Sequence, residues 1–163
     1  MPTEKLAELT QPQRDRLAFV ELRVRFIGEI RRQDLVSRFG IQSAAATRDL
    51  AVYKDLSSGN IDYDPKAKSY VLTDEFRPLF DFPPERVLSW LTQGFGDGEP
   101  IRLRAWVASE TPSRLTHPDL DVLAAVTRAI HQECPLAVEY HSISSGRTER
   151  EIVPFALIDN GLR

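Results

Sequence analysis

The sequence predicts an α+β fold, and three observations carry that prediction. Residues 41–56 have the spacing of a short amphipathic helix, with Ala46, Leu50 and Tyr53 at i, i+4 and i+7 and Leu56 at its edge. A second short helix, Gln33 to Phe39, precedes it and is closed by Gly40. From Asn60 to Leu72, apolar and polar residues alternate on both sides of Asp64-Pro65, the pattern of a β-hairpin. Helix, tight turn, helix and hairpin form a winged helix-turn-helix, in which the second helix enters the major groove.

Each element follows from local chemistry. Residues 1–10 predict a frayed start, with Thr10 as cap and Pro12 in the first turn of a long helix, where proline is tolerated. Leu17, Val20, Val24 and Ile27 form one apolar stripe on that helix, and Phe19, Leu22 and Phe26 form another. Two stripes need cover on more than one side. The helix is then either central to its own domain or packed by one stripe on a partner subunit. Gly28 ends it, and Glu29-Ile30 is a short first strand. Arg31 and Arg32 stand at the entry to the next helix, near where such a motif crosses the phosphate backbone. Leu35, Val36 and Phe39 supply its core face.

The organising stretch is the second helix of the pair. Ser43 is expected to cap a helix that begins at Ala44. Gln42 and Ser43 stand at the leading tip, Ala44 and Ala45 keep that tip slim, and Thr47, Arg48 and Lys54 occupy the exposed flank. Short polar side chains admit close approach to a duplex, and Arg48 has the reach for a guanine or a phosphate. Lys66 and Lys68 fall at the hairpin tip, where a wing touches phosphates or the minor groove. The competing reading of all these groups is an ordinary solvated surface.

Beyond the hairpin, Asp74 to Pro84 carries three Phe and three Pro, which predicts a packed linker. A helix follows from Pro84 to Leu91, with Val87, Leu88 and Leu91 on one face. Gln93 to Glu99 is glycine-rich and must turn; no Lys-Ser/Thr follows it, so it is not a nucleotide loop. Ile101 to Ala108 alternates as a strand. Pro118 to Gln132 predicts a helix built on Leu120, Leu123, Ala124, Val126 and Ile130, with Thr116 or His117 before its first turn. Pro135 to Ser142 and Thr148 to Ile158 predict strands joined by Ser144-Ser145-Gly146, with Pro154 at an edge or bulge. Asp159-Asn160-Gly161 is a hairpin signal that calls for a further strand, so the second domain is expected to be incomplete at Arg163. The expected domains are 1–80, a DNA-binding winged helix-turn-helix; 81–115, a linker and dimerisation region; and 116–163, part of a small β-barrel sensor.

Composition narrows the function. Hydrophobic residues make up 42% and charged residues 28% of 163 positions, the balance of a soluble globular protein. No run is long enough to cross a membrane, and Met1 to Lys5 lack a signal-peptide segment. A lone Cys134 argues for a reducing, cytoplasmic setting. The formal net charge of −3 hides an asymmetry: residues 1–80 hold 13 Lys and Arg against 12 Asp and Glu, residues 81–163 hold 8 against 12. The reader half is near neutral, so modest sequence-independent DNA affinity is expected. His131, Cys134 and His141, with His117 upstream, offer metal ligands, but no second close pair completes a zinc site. No nucleophile motif is present. Neither a metal, a cofactor nor catalysis is expected.

Two segments resemble known proteins. Thr47-Arg48-Asp49-Leu50 is similar to the recognition-helix core of DeoR-type winged-helix repressors. Residues 118–163 look like the opening of a WYL domain: a helix, Tyr140-His141-Ser142, a Ser/Gly turn, Arg150-Glu151-Ile152-Val153-Pro154, and an Asn-Gly turn. The layout from Arg14 to Arg163 resembles the winged-helix and WYL regulators of bacterial phage-defence loci, the BrxR/CapW-like group. That resemblance implies a homodimeric repressor on an inverted-repeat operator, autoregulating a defence locus and associated with the nucleoid. It also implies a sensor for a nucleotide or nucleic-acid ligand, lined by Tyr140, Ser142 and Arg150, and a C-terminal extension domain. The Trp-Tyr-Leu segment of such domains is expected just after Arg163. The rival reading is a winged-helix protein-interaction module that never touches DNA, which the acidic total charge and the double-striped first helix favour.

Overall fold

The computed structural model describes residues 6–95, 109–110, 118–144 and 146–158. The chain forms two compact units that meet in sequence at Phe82-Pro83. The first contains α1 (Gln11–Ile27), β1 (Glu29–Ile30), α2 (Arg32–Phe39), α3 (Ser43–Leu56), β2 (Ile61–Asp64) and β3 (Ser69–Leu72). This is the winged helix-turn-helix order that the periodicity predicts.

The core is built around α1. Leu17, Phe19, Val20, Leu22, Val24, Phe26 and Ile27 are all buried within this chain. Both stripes are therefore covered without a partner subunit, and each such side chain contributes about 1.5–3 kcal/mol of burial. The Phe19 ring meets Phe39 of α2 edge-on at 5.5 Å. Gly28 ends the helix at φ 94°, a left-handed conformation that glycine adopts without a Cβ clash. Its carbonyl accepts from Leu72 N at 2.9 Å, which turns the chain into the sheet. The three strands lie in the order β1-β3-β2, all antiparallel, with Ile30 opposite Tyr70 and Ile61 opposite Leu72.

One local expectation needs correction. The cap of α3 is Gln42, not Ser43: Gln42 is extended, and its carbonyl accepts from Ala45 N and Ala46 N at 2.9 and 3.1 Å. Ser43 is already helical, and its carbonyl accepts the Thr47 hydroxyl at 2.9 Å. Lys68, like Lys66, lies in the wing turn, one residue before β3. The Asp64 carboxylate accepts from Lys66 N and Ala67 N at 2.8 and 3.3 Å, and Lys68 then turns through φ 54°.

A polar network runs through this core. Glu21, fully buried on α1, accepts from the Tyr53 hydroxyl of α3 at 3.0 Å. Its two oxygens also accept from Leu79 N at 2.9–3.0 Å and Phe80 N at 2.9 Å. Asn60 donates to the Tyr53 hydroxyl at 3.2 Å and to the Arg77 carbonyl at 2.7 Å, and accepts from Arg77 N at 2.9 Å. Residues 77–80 are thus stitched to α1 and α3, and the Phe80 and Phe82 rings stack at 5.9 Å. The packed linker expected here takes that form.

The second unit contains α4 (Pro84–Gln93), β4 (Ser109–Glu110), α5 (Leu120–Gln132), β5 (Leu136–Ser142), β6 (Gly146–Ile152) and β7 (Leu157–Ile158). Val87, Leu88, Trp90 and Leu91 of α4 are buried. Asp119 caps α5, its carboxylate accepting from Asp121 N and Val122 N at 2.8 and 3.1 Å, so the helix starts two residues later than expected. The single strand expected from Thr148 to Ile158 is interrupted. β6 ends at Ile152, before Pro154, which has no N–H for a ladder, and β7 pairs separately and in parallel with β4. Among the described residues the strands form three open sheets and close no barrel. The strand expected at Ile101–Ala108, the residues Thr116 and His117, and the Asp159-Asn160-Gly161 turn lie outside the described residues. No described helix is long and apolar enough to cross a membrane.

Burial raises the Glu21 carboxyl pKa above its ordinary 4.5, against the opposing hydrogen bonds and the Arg25 charge. A raised value favours the protonated folded form, so this group's contribution is greatest below pH 4.5 and declines as pH rises through the folded value. Glu21→Ala, which leaves two N–H groups and a hydroxyl without their acceptor, is expected to cost about 3 kcal/mol in chemical denaturation. Wild type should lose stability relative to Glu21→Gln between acidic and neutral pH; a constant difference would contradict this linkage.

Candidate nucleic-acid interface

The face of α3 that looks away from the core is set by its own periodicity. Ala46, Leu50, Tyr53 and Leu56 point inward, joined by Asp49. Gln42, Ser43, Ala44, Thr47, Arg48 and Lys54 are all exposed. Successive residues on a helix are about 100° apart, so Thr47 and Arg48 leave α3 in different directions, with Ala44 between them one turn earlier. Ser43, Thr47 and Lys54 share the flank that meets α2 and the wing: Arg32 of α2 donates to the Thr47 hydroxyl at 3.4 Å, and Lys54 reaches Asp62 of β2 at 3.2 Å. Arg48 instead borders a shallow hollow with Gln13, Arg16, Ala45 and Asp49, toward the first turns of α1.

The predicted phosphate cations are also exposed, and they differ in how they are held. Arg31 is the N-cap residue of α2, where its N–H donates to Asp34 at 2.7 Å while its guanidinium pairs with Glu29 at 3.2 Å. Among the described residues no ion pair engages Arg48, Lys66 or Lys68. The structure therefore gathers Gln42, Ser43, Ala44, Thr47, Lys54 and Arg32 around one flank of α3, puts Arg48 on the neighbouring flank, and carries Lys66 and Lys68 on the wing tip.

Two functional details escaped sequence reasoning. Arg16 of α1 grips Asp49 through both carboxylate oxygens, at 2.6 and 3.3 Å. Asp49 is 3% exposed. An acidic residue at i+3 from Ala46, inside the apolar stripe, was the available signal, since a buried carboxylate needs a partner. The second detail is on the wing, where half-exposed Tyr63 packs on Tyr70 at 5.1 Å.

In the second unit, Val138 of β5 lies opposite Arg150 of β6, which puts Arg150 on the face of Val138 and Tyr140. Its guanidinium lies 4.4 Å from the Tyr140 ring centroid, a cation–π contact. Among the described residues Arg150 makes no ion pair with Glu139. Glu139 lies on the opposite face, directly across from Glu149, and pairs with Arg147, which offsets that like-charge contact. The Ser142 hydroxyl shares this strand face with Tyr140 but engages the turn, 3.0 Å from the Ser144 hydroxyl and accepting from Ser144 N at 3.2 Å. Among the described residues, no cluster of three His, Cys, Asp or Glu side chains could hold a metal ion.

Comparison with known proteins bears directly on this geometry. The family model described as the BrxR transcriptional regulator winged helix-turn-helix domain matches residues 12–93. The chain belongs to the BrxR winged helix-turn-helix family. It is also similar to proteins named DNA-binding transcriptional repressor CapW. One from Escherichia coli is 32% identical over 158 residues, covering 93% of this chain and 52% of the relative. Those from Stenotrophomonas maltophilia and Pseudomonas aeruginosa are 31% and 30% identical over 159 residues, with the same coverage. The chain thus spans about half the length of the curated relatives it matches. The BrxR-type region includes α1 through α4 and every candidate DNA contact named above.

In this BrxR-family domain the Arg16–Asp49 pair ties α3 to α1. Asp49→Ala is expected to lower stability by about 1–3 kcal/mol and to speed amide exchange in α3. Arg16→Lys, which keeps the charge but not the two-pronged grip, should fall between wild type and Asp49→Ala in the same denaturation series.

Proposed function

We propose that this chain is the DNA-reading portion of a bacterial transcriptional repressor, with no catalytic role. The observation that carries the proposal is the exposed, slim, polar leading end of α3, flanked by Arg32 of α2 and continued along the same flank by Lys54. Membership of the BrxR family and likeness to repressors named CapW support it. Gln42, Ser43, Ala44, Thr47 and Arg48 would meet base edges or position them, and Arg31, Arg32, Lys54, Lys66 and Lys68 would hold phosphates. We take residues 1–80 as the reader, 81–115 as a linker and dimerisation region, and 116–163 as part of a WYL-type sensor. Acting as a homodimer, the protein would bind an inverted-repeat operator with half-sites spaced by its own two-fold axis. The controlled locus would be a phage-defence locus that includes its own gene, in the bacterial cytoplasm and nucleoid. Tyr140 with Arg150 over its ring, and Ser142 on the same strand face, would form part of a surface for a nucleotide or nucleic-acid signal.

The acidic total charge leaves a second reading, a winged-helix protein-interaction module. Fluorescence anisotropy with the duplex upstream of the protein's own gene, beside scrambled DNA and at two salt concentrations, separates the two. A repressor gives sequence-dependent, salt-sensitive binding; an interaction module gives none. Arg48→Ala is expected to weaken specific binding by about 1–3 kcal/mol. A paired Lys66→Ala and Lys68→Ala variant should weaken binding to both duplexes alike and flatten the salt dependence.

A further inference from the structure

We propose that Asp62 is an electrostatic brake on sequence-independent DNA binding, acting by competing with DNA phosphate for Lys54. The inference rests on the DNA-reading role proposed above. Lys54 lies on the flank of α3 that carries Ser43 and Thr47, and Asp62 lies on the first strand of the wing. Their ammonium and carboxylate groups are 3.2 Å apart, which links the recognition helix to the wing across the candidate interface. Neither group is buried: the Lys54 side chain is 48% exposed and that of Asp62 74%. The Asp62 carboxylate also accepts from its neighbour's backbone, Tyr63 N, at 3.0 Å, so it is held in place and not swinging free. The hydrogen bond from Lys54 keeps its pKa below the ordinary carboxylate range, and at neutral pH it is charged.

A duplex lying on α3 and the wing brings phosphates toward Lys54. One of them must displace the carboxylate, because a single ammonium held by Asp62 in this geometry presents less charge to a newcomer. The freed carboxylate then stays within a Debye length of the phosphates, about 8 Å at physiological salt, and repels them. Neither effect depends on base sequence, since phosphate contacts carry no sequence information. Arg31 shows the same theme on α2, paired with Glu29 of β1. Asp62 differs in bridging the two elements that would hold the duplex between them.

The test is a double-mutant cycle on the full chain. Wild type, Asp62→Asn, Lys54→Ala and the double variant are titrated by anisotropy with the upstream duplex and with a scrambled duplex over a range of salt. Asn is nearly isosteric and keeps the acceptor for Tyr63 N, so this local contact on β2 is preserved. Asp62→Asn is expected to bind both duplexes about 3- to 10-fold more tightly, with a salt dependence steeper by about one phosphate contact. In the Lys54→Ala background that gain should shrink to less than half. Unchanged or weaker binding by Asp62→Asn, while wild type binds, overturns the brake alone and makes the pair a strap that aims Lys54. An undiminished gain in the Lys54→Ala background overturns the competition for Lys54. Failure of wild type and Asp62→Asn alike to bind any duplex overturns both the brake and the DNA-reading role.

Discussion

The buried carboxylate of Glu21 is the constraint on which the rest of the winged unit depends. It lies on the central helix with no exposure to water, and it is tolerated only because three donors converge on it. Those donors come from different parts of the chain: the Tyr53 hydroxyl from α3, and two backbone N–H groups from residues that follow the wing. Asn60 extends the network to the start of β2. Apolar burial alone would let α3 slide along α1. A carboxylate with directional partners fixes one register, because every other register leaves donors or the acid itself orphaned.

Helix α3 is held at a second point by Arg16 and Asp49, one turn N-terminal to Tyr53. Between them the two polar anchors determine which residues of α3 are left outside. Asp49 and Tyr53 are four apart, so both lie on the inward side, and the opposite side falls to Ala44, Thr47, Arg48 and Ala51. The charge on the resulting surface is mixed: carboxylates of Glu29 and Asp62 lie against two of the five candidate phosphate cations.

Much of the fold was legible in the sequence, because helical and strand periodicities report directly which face is buried. Leu17 to Ile27, Ala46 to Leu56 and the alternation around Asp64-Pro65 all took the predicted form, and Gly28 and Gly40 stop their helices as expected. Cap positions were less legible. Ser43 is a preferred cap type, yet the backbone turns at Gln42, whose carbonyl starts the helix and whose side chain makes no cap hydrogen bond. Asp119 was overlooked beside Thr116 and His117 for the converse reason, since several polar residues in a row each satisfy the same preference. Long-range polar pairs were not legible at all. Glu21 and Tyr53 are separated by 32 residues, and Arg16 and Asp49 by 33, and no local pattern joins them. Of the candidate interface, its residue types and exposure could be read ahead; the flank each residue faces, and the company Lys54 keeps with Asp62, required the fold.

The wing tip has a consequence of another kind. Its turn is closed by the Asp64 carboxylate on two successive N–H groups, and Lys68 completes it in a left-handed conformation. The backbone beneath Lys66 and Lys68 is therefore ordered before anything arrives. Ordering a single residue costs about 1–2 kcal/mol of conformational entropy, and here that cost is met during folding. What remains loose is the pair of lysine stems, whose ends can shift while their anchor points stay a fixed distance apart. The tip works as a preset caliper with compliant jaws.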